Sequence, residues 1–370
     1  MGCRRGRAPG RLDLLGGVAD YSGALVLEVP THRSTVVVAE PAEAFVVGPV
    51  ELSGPEMARL AVLPYAELRS TIAGVPRWTR YLLGVALVLV RHRVIRPPHV
   101  RLAVTSDLPQ SVGVASSAAL EVATARALGA DDVVDPLRLA ALCQEAENQV
   151  VGAPCGIMDQ VAVAAGETGS ILPVLCRPAS AGATVPLPPG VEVIGWPTGM
   201  PHDVGGATYA RARVAAFMGK RIVEDAAARS WSWVSELPPE VVATLPETVR
   251  GSDFVDRWGE TPDPLTPVDL DETYPVRAAT SFGVEEHRRS ERALTALHSG
   301  SASALGPLMA ASHAGYAAMG LGHAAADAVT EEAMSLAGVL GARASGGGSG
   351  GTVVVLCQAG SLARIPGLVR

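Results

Sequence analysis

Asp159 stands among Ile157, Met158, Val161 and Val163, a costly place for a carboxylate with nothing to do. The run Ile157–Ala164 follows the breaker Gly152-Ala-Pro-Cys-Gly156, so it opens as a helix with Asp159 in its first turn. There the helix dipole favours the ionised form. A second candidate for chemistry is Pro109-Gln-Ser-Val-Gly-Val-Ala-Ser-Ser-Ala118. It joins the β-branched run Val100–Thr105 to Ala119–Leu128, which has helical spacing and good helix formers. A strand, a loop of small residues and a helix start can hold a phosphate on backbone N–H groups, with serine hydroxyls in reach of a metal ion. Taken alone, the same residues also describe a serine-capped turn. A third segment, Ala8–Gly23, crowds Arg11, Asp13, Asp20 and Tyr21 among glycines. One cation and two carboxylates there suit a polyhydroxylated ligand, although an ordinary hairpin with a surface ion pair fits too.

The elements that must position these groups can be read in order. Ser34–Val38 and Ala44–Val47 alternate as strands, and a helix is expected from Trp78 to Val94, with Trp78 at its exposed start. An aromatic in that position can stack on a nucleobase or serve the core. Asp135-Pro136 reads as the N-cap and first position of a helix that brings Glu147 near its end. The connector 179–190, small and proline-rich, is taken as a boundary between domains at 1–180 and 181–370. Beyond it we expect strand Val191–Trp196, a polar turn Gly199-Met-Pro-His-Asp203 and a helix from about Thr208 through Ala228. An acidic, proline-rich excursion over 234–275 and two or three helices over 284–340 come next. The cluster Gly341–Gly351 runs into strand Thr352–Leu356, a tight placement that argues for close backbone approach.

Composition narrows the function classes. The chain has 370 residues, 48% hydrophobic, and a net charge of −7, enough for a sizeable core and without the basic footprint of a nucleic-acid or anionic-membrane binder. The longest apolar run, Tyr81–Val90, is too short to span a bilayer, and the N-terminus shows no secretory signal. A soluble, cytoplasmic protein is the expectation. Five scattered cysteines have no metal-ligand spacing and are expected reduced. Lys220 is the only lysine and has no G-x-x-x-x-G-K-S/T around it, which excludes a Walker-type phosphate loop.

Three glycine-rich motifs in this order resemble the GHMP sugar kinases, the superfamily of galactokinase, homoserine kinase and mevalonate kinase, over nearly the whole chain. Pro9-Gly-Arg-Leu-Asp-Leu-Leu-Gly-Gly-Val-Ala-Asp-Tyr21 is similar to the galactokinase signature P-G-R-V-N-L-I-G-E-H-T-D-Y, and the 109–118 loop to P-x-G-x-G-L-S-S-S-A. Gly341–Gly351 is similar to G-A-R-M-T-G-G-G-F-G-G, and Cys155-Gly-Ile-Met-Asp-Gln160 is identical to a galactokinase segment. Within the family, the nearest resemblance is to the kinase portion of plant-type L-arabinokinases, carried by Arg7–Asp13, Ala19–Gly23, Ala146-Glu-Asn148, Val151–Cys155, His202–Tyr209, Ala216–Lys220, Tyr274–Ala278 and Gly346–Gly351.

The resemblance implies an α/β (α+β) GHMP kinase fold, an N-terminal ribosomal S5 domain-2-like domain plus a C-terminal ferredoxin-like one, with the active site between them. It implies ATP and Mg²⁺, and a sugar 1-phosphate as product. Asp159 matches the catalytic aspartate and Arg11 the arginine that keeps it ionised. Ser117 and Glu147 match the Mg²⁺-associated pair, both oxygen ligands suited to a hard cation. Trp78 matches a tryptophan beside adenine, and Ser111, Gly113, Ser116 and Ser117 belong to the ATP-phosphate loop. Asp20, Gly17, Val18, Gly156 and Tyr209 fall at the sugar site. The chain departs from the galactokinase pattern at Gly17-Val18, where that family has Glu-His towards the sugar's C4–C6 side. It departs again at Gln110–Val112 and at Ala115 in place of a serine. L-arabinopyranose has the stereochemistry of D-galactose without the C6 hydroxymethyl, so the first departure points to L-arabinose. Galactose, a modified sugar of a specialised pathway, and a non-catalytic sugar sensor are the alternatives; the surviving Arg11, Ser117, Glu147 and Asp159 argue against the sensor.

Overall fold

The computed structural model describes residues 2–200, 206–348 and 350–370. The rest of the polar turn after Met200, the stretch 202–205 and Ser349 lie outside the described residues. Packing divides the chain into two compact units that interleave in sequence. The first takes the chain up to Arg11, Pro30–Gln110 and Ala115–Thr168; the second takes Leu12–Val29, Ser111–Val114 and everything from Gly169 on. Both changes of unit near the N-terminus fall inside long strands, Arg4–Leu15 and Leu25–Pro41, and the 179–190 connector lies within the second unit.

In the first unit, β-branched stretches pair as such residues prefer. The C-terminal half of Leu25–Pro41 runs antiparallel to Val100–Ser106, from Thr35 opposite Ser106 to Pro41 opposite Val100. Phe45–Val47 adds in parallel, Val46 opposite Arg101, and Val50–Leu52 closes that edge. Helices Arg77–Arg91, Ser116–Ala127, Pro136–Glu145 and Met158–Ala165 supply the core beside it. Leu82–Leu89 is buried on every side, as a helix apolar all round must be. Each such leucine contributes about 1.5–3 kcal/mol. The helix stops at Arg91, short of the expected Val94, because Arg93 turns left-handed at φ 58°. Asp135 caps the next helix as expected, accepting from Leu137 N and Arg138 N at 2.9 Å.

The second unit holds a three-stranded antiparallel sheet whose middle strand, Thr352–Gln358, lies between Val339–Ala344 and Val191–Pro197. Val353–Cys357 is fully buried in that position. Helices Ala207–Ala227, Val276–His298, Leu305–Ala318 and Ala324–Ser335 pack with it. Gly219 allows the first two to approach closely, since a Cβ there would fall on Thr280 Oγ1. The 234–275 excursion is ordered by short helices, Pro239–Val242 and Gly251–Trp258, and a two-stranded ribbon, Val249–Arg250 with Thr273–Tyr274. All five cysteines are free thiols. Among the described residues no helix is long and apolar enough to cross a membrane.

Candidate active site

The strand Arg4–Leu15 and the helix Met158–Ala165 bring Arg11 and Asp159 together in the first unit. Arg11 Nε donates to Asp159 Oδ1 at 2.9 Å and Nη2 lies 2.7 Å from the same oxygen. The arginine side chain is 3% exposed and the aspartate 25%. Both of these contacts converge on Oδ1. The aspartate sits in the first helical turn, as its sequence context requires, and Gly156 lies half-buried in the loop just before it.

Glu147 comes from a segment that periodicity alone does not reveal. After Glu145 the helix widens into a π turn, Ala146–Val151, in which Gly152 N and Ala153 N both donate to Glu147 O. Such widened turns recur at functional sites. The turn carries the Glu147 side chain into the interior, against Ser117, Cys155 and Gln160, which all hydrogen-bond it. Gln160 Nε2 donates to Glu147 Oε2 at 2.7 Å and to Glu121 Oε2 at 3.1 Å. Burial first, and the Asp159 charge second, push the Glu147 carboxyl up to about 7. Burial and Glu147 push Glu121 well above the usual carboxylate range. Asn148 fixes the adjoining turn, accepting from Cys155 N at 2.8 Å and donating to Cys155 O.

Glu121 and Gln160 are functional candidates that the sequence reading passed over. A signal existed: Glu121 falls four residues after Ser117 on one helix, hence on the same face. Two buried carboxylates with raised pKa, and buried Glu121 Oε1 and Gln160 Oε1 without protein partners, fit a site awaiting positive charge. No group of three or more His, Cys, Asp or Glu residues able to hold a metal occurs among the described residues. The Ser117 hydroxyl and the Glu147 carboxylate are an oxygen donor set of the kind Mg²⁺ takes, one or two carboxylates with phosphate oxygens and water completing the shell.

The helix Ser116–Ala127 begins without a side-chain cap, behind Ala115 in the left-handed region at φ 57°. Its first amides, next to Ser116 and Ser117, are free to face an anion. Ser111 (φ 56°) and Gly113 (φ 77°) are also left-handed, and Thr352 Oγ1 ties the loop down by donating to Val112 O at 2.6 Å. Trp78 is 50% exposed at the start of its helix, its indole beside the Gly48 turn.

The second unit holds the expected sugar residues other than Gly156. Gly17, Val18 and Asp20 lie on the buried turn Gly17–Ser22, with Asp20 Oδ1 accepting from Tyr21 N at 2.6 Å. Tyr21 meets Tyr209 edge-on at 5.9 Å. Asp13 is not placed as a ligand group. Asp13 is instead fully buried on Arg343 at 3.0 Å, and its oxygens also accept from Gly346 N and Gly17 N. A buried carboxylate needs this many donors. In the third motif, close packing requires Gly348, since a Cβ there would meet Leu321 O at 2.8 Å and Tyr316 Cδ1 at 3.0 Å.

Comparison with known proteins identifies the family. Residues 80–167 match the GHMP kinases N terminal domain and residues 293–365 the GHMP kinases C terminal domain. A galactokinase of Chloroflexus aggregans is 31% identical over 96% of this chain and 84% of its own length. The chain belongs to the GHMP kinases, in their galactokinase-like branch. An L-arabinokinase of Arabidopsis thaliana is 31% identical over 95% of this GHMP kinase, which spans 42% of the plant protein's length. Human galactokinase is 31% identical, with 95% and 83% covered. The fold agrees: Lactococcus lactis galactokinase complexed with galactose superposes with a TM-score of 0.78 at 22% identity, covering 98% of this chain and 87% of that one. Methanococcus jannaschii mevalonate kinase superposes with a TM-score of 0.61 at 14% identity.

Proposed function

We propose that this GHMP kinase transfers the γ-phosphoryl group of ATP to the anomeric hydroxyl of L-arabinose. It is a sugar 1-kinase, and what carries the choice of acceptor is position 17. Gly17 has φ 51°, and a Cβ built on it would fall on the Tyr316 hydroxyl, so no polar side chain extends from this position. Val18 beside it is buried and apolar. A hydroxymethyl group facing these residues finds no side-chain partner, at a cost of about 1–3 kcal/mol per unpaired polar group. L-arabinose carries no such group.

In this reading Asp159 accepts the proton of the anomeric hydroxyl. The freed oxygen bonds to the γ-phosphorus as the bond from phosphorus to the ADP oxygen breaks. Arg11 orients the carboxylate through its paired contacts and offsets charge spreading over the transferring group. Ser117 and Glu147 would hold Mg²⁺, which when bound neutralises the phosphate oxygens. The amides at Ser116 and Ser117 receive a phosphate, Ser111 and Gly113 shape the loop, and Trp78 offers a stacking face for adenine. Asp20 and Tyr209 contact the sugar hydroxyls, and Gly156 leaves room for the ring.

Galactose is the competing acceptor, favoured by the matches to galactokinases along most of their length. ADP release measured over L-arabinose, D-galactose, D-fucose and glucuronate separates the two. We expect kcat/KM for L-arabinose to exceed that for D-galactose by about 10- to 100-fold. The reverse order overturns the acceptor.

A further inference from the structure

Three successive amides at the turn of the first motif are each taken by a buried side chain of the second unit. Gly16 N donates to Glu286 Oε1 and Gly17 N to Asp13 Oδ1, both at 3.0 Å. Val18 N donates to the Tyr316 hydroxyl at 3.1 Å. Ser312 donates to that same Glu286 oxygen, and Tyr316 donates its own proton to Gly346 O. Ser312 and Tyr316 are four apart on the helix Leu305–Ala318, so one helical face reaches both ends of the Gly16–Val18 turn.

Tyr316 is fully buried and held on three sides. Phe282 meets its ring edge-on at 5.4 Å, the Arg343 guanidinium lies 5.1 Å from its centre, and Gly348 packs on its edge. Burial also drives its pKa far up, so the phenol stays a donor. The hydroxyl occupies the volume into which any side chain at position 17 would grow, and Arg343 Nη2 would stand 2.9 Å from the same Cβ. A glutamate at 17, as in the galactokinase signature, is therefore excluded by Tyr316 as well as by the left-handed backbone.

We infer that Tyr316 is a specificity-determining positioning residue: by filling the space beside Gly17 and tethering Val18 N to Gly346 O, it sets the wall that faces the sugar's C5 substituent. It acts through the turn, since its hydroxyl is spent on two backbone groups. This inference rests on the acceptor reading above for which sugar is preferred, but the coupling of residues 17 and 316 does not depend on it.

The test is a double-mutant cycle of Gly17→Ala and Tyr316→Phe, with kcat and KM measured for L-arabinose, D-galactose and ATP, and unfolding midpoints for all four proteins. The left-handed backbone penalises alanine equally in both backgrounds and cancels in the cycle. We expect Gly17→Ala to lower kcat/KM at least tenfold more in the parent than in the Tyr316→Phe protein. Tyr316→Phe alone should shrink the L-arabinose to D-galactose ratio of kcat/KM at least fivefold, through sugar KM, with KM for ATP changed less than twofold. No coupling, or an equal loss on both sugars through kcat, overturns the role of Tyr316. A parent enzyme that prefers galactose overturns the acceptor reading instead, and the cycle run with galactose still reports the coupling.

Discussion

On one strand, Arg4–Leu15, three residues form acid–arginine ion pairs, and their surroundings differ. At its start Arg4 meets Asp131 at 3.0 Å and Asp132 at 2.6 Å, with the arginine 33% exposed. Further on Arg11 meets a partly exposed Asp159, and two residues later Asp13 meets Arg343 with both side chains at 0% exposure. Water screens the first pair and leaves it little energy. The second keeps its arginine dry and its carboxylate reachable, which suits proton transfer. The third is closed off, so its value lies in tying the first glycine motif to the third. Ion pairs of the same two residue types thus stand at the surface, in the candidate site and in the scaffold, and burial of the acid separates them.

The largest effect expected along this series is at Asp159. Asp159→Asn should lower kcat by about 10³- to 10⁴-fold, or roughly 4–5.5 kcal/mol of barrier, while nucleotide binding measured by fluorescence titration is retained. Turnover near the parent rate would remove Asp159 from the chemistry and collapse the distinction between it and Asp13. Next comes the closed pair. Asp13→Ala strands a buried guanidinium and two amides, and should destabilise the fold by about 3–5 kcal/mol in denaturant unfolding. A loss below about 1 kcal/mol would show that the motif is held by something else. The smallest effect belongs to the exposed pair: Arg4→Ala should change stability by less than about 1 kcal/mol, less still at high salt, with kcat unaltered. A larger value would mean that exposure is a poor guide to what these pairs do.

Much of the site is legible before folding because its motifs are local. The strand-to-helix step at 109–118, the Asp135 cap and the helical first turn holding Asp159 each follow from a few consecutive residues. The adjacency of Arg11 and Asp159, 148 residues apart, is legible only through resemblance to a family. Glu121 illustrates what escapes. In the chain it is one good helix former among alanines, and only the π turn that swings Glu147 inward turns it into half of a buried carboxylate pair. Asp13 escapes in the opposite sense, because its neighbours make it look like a ligand group while its partner lies 330 residues away.

The amino-acid sequence by itself determined the family, the strand-to-helix loop at 109–118 and the bare position 17, since local backbone preferences and residue types carry that information. The tertiary structure decided why position 17 is bare. Val18 and Tyr316 are 298 residues apart, and no periodicity connects them. Two groups cannot occupy one volume, and that constraint exists only once the helix Leu305–Ala318 has packed beside the turn.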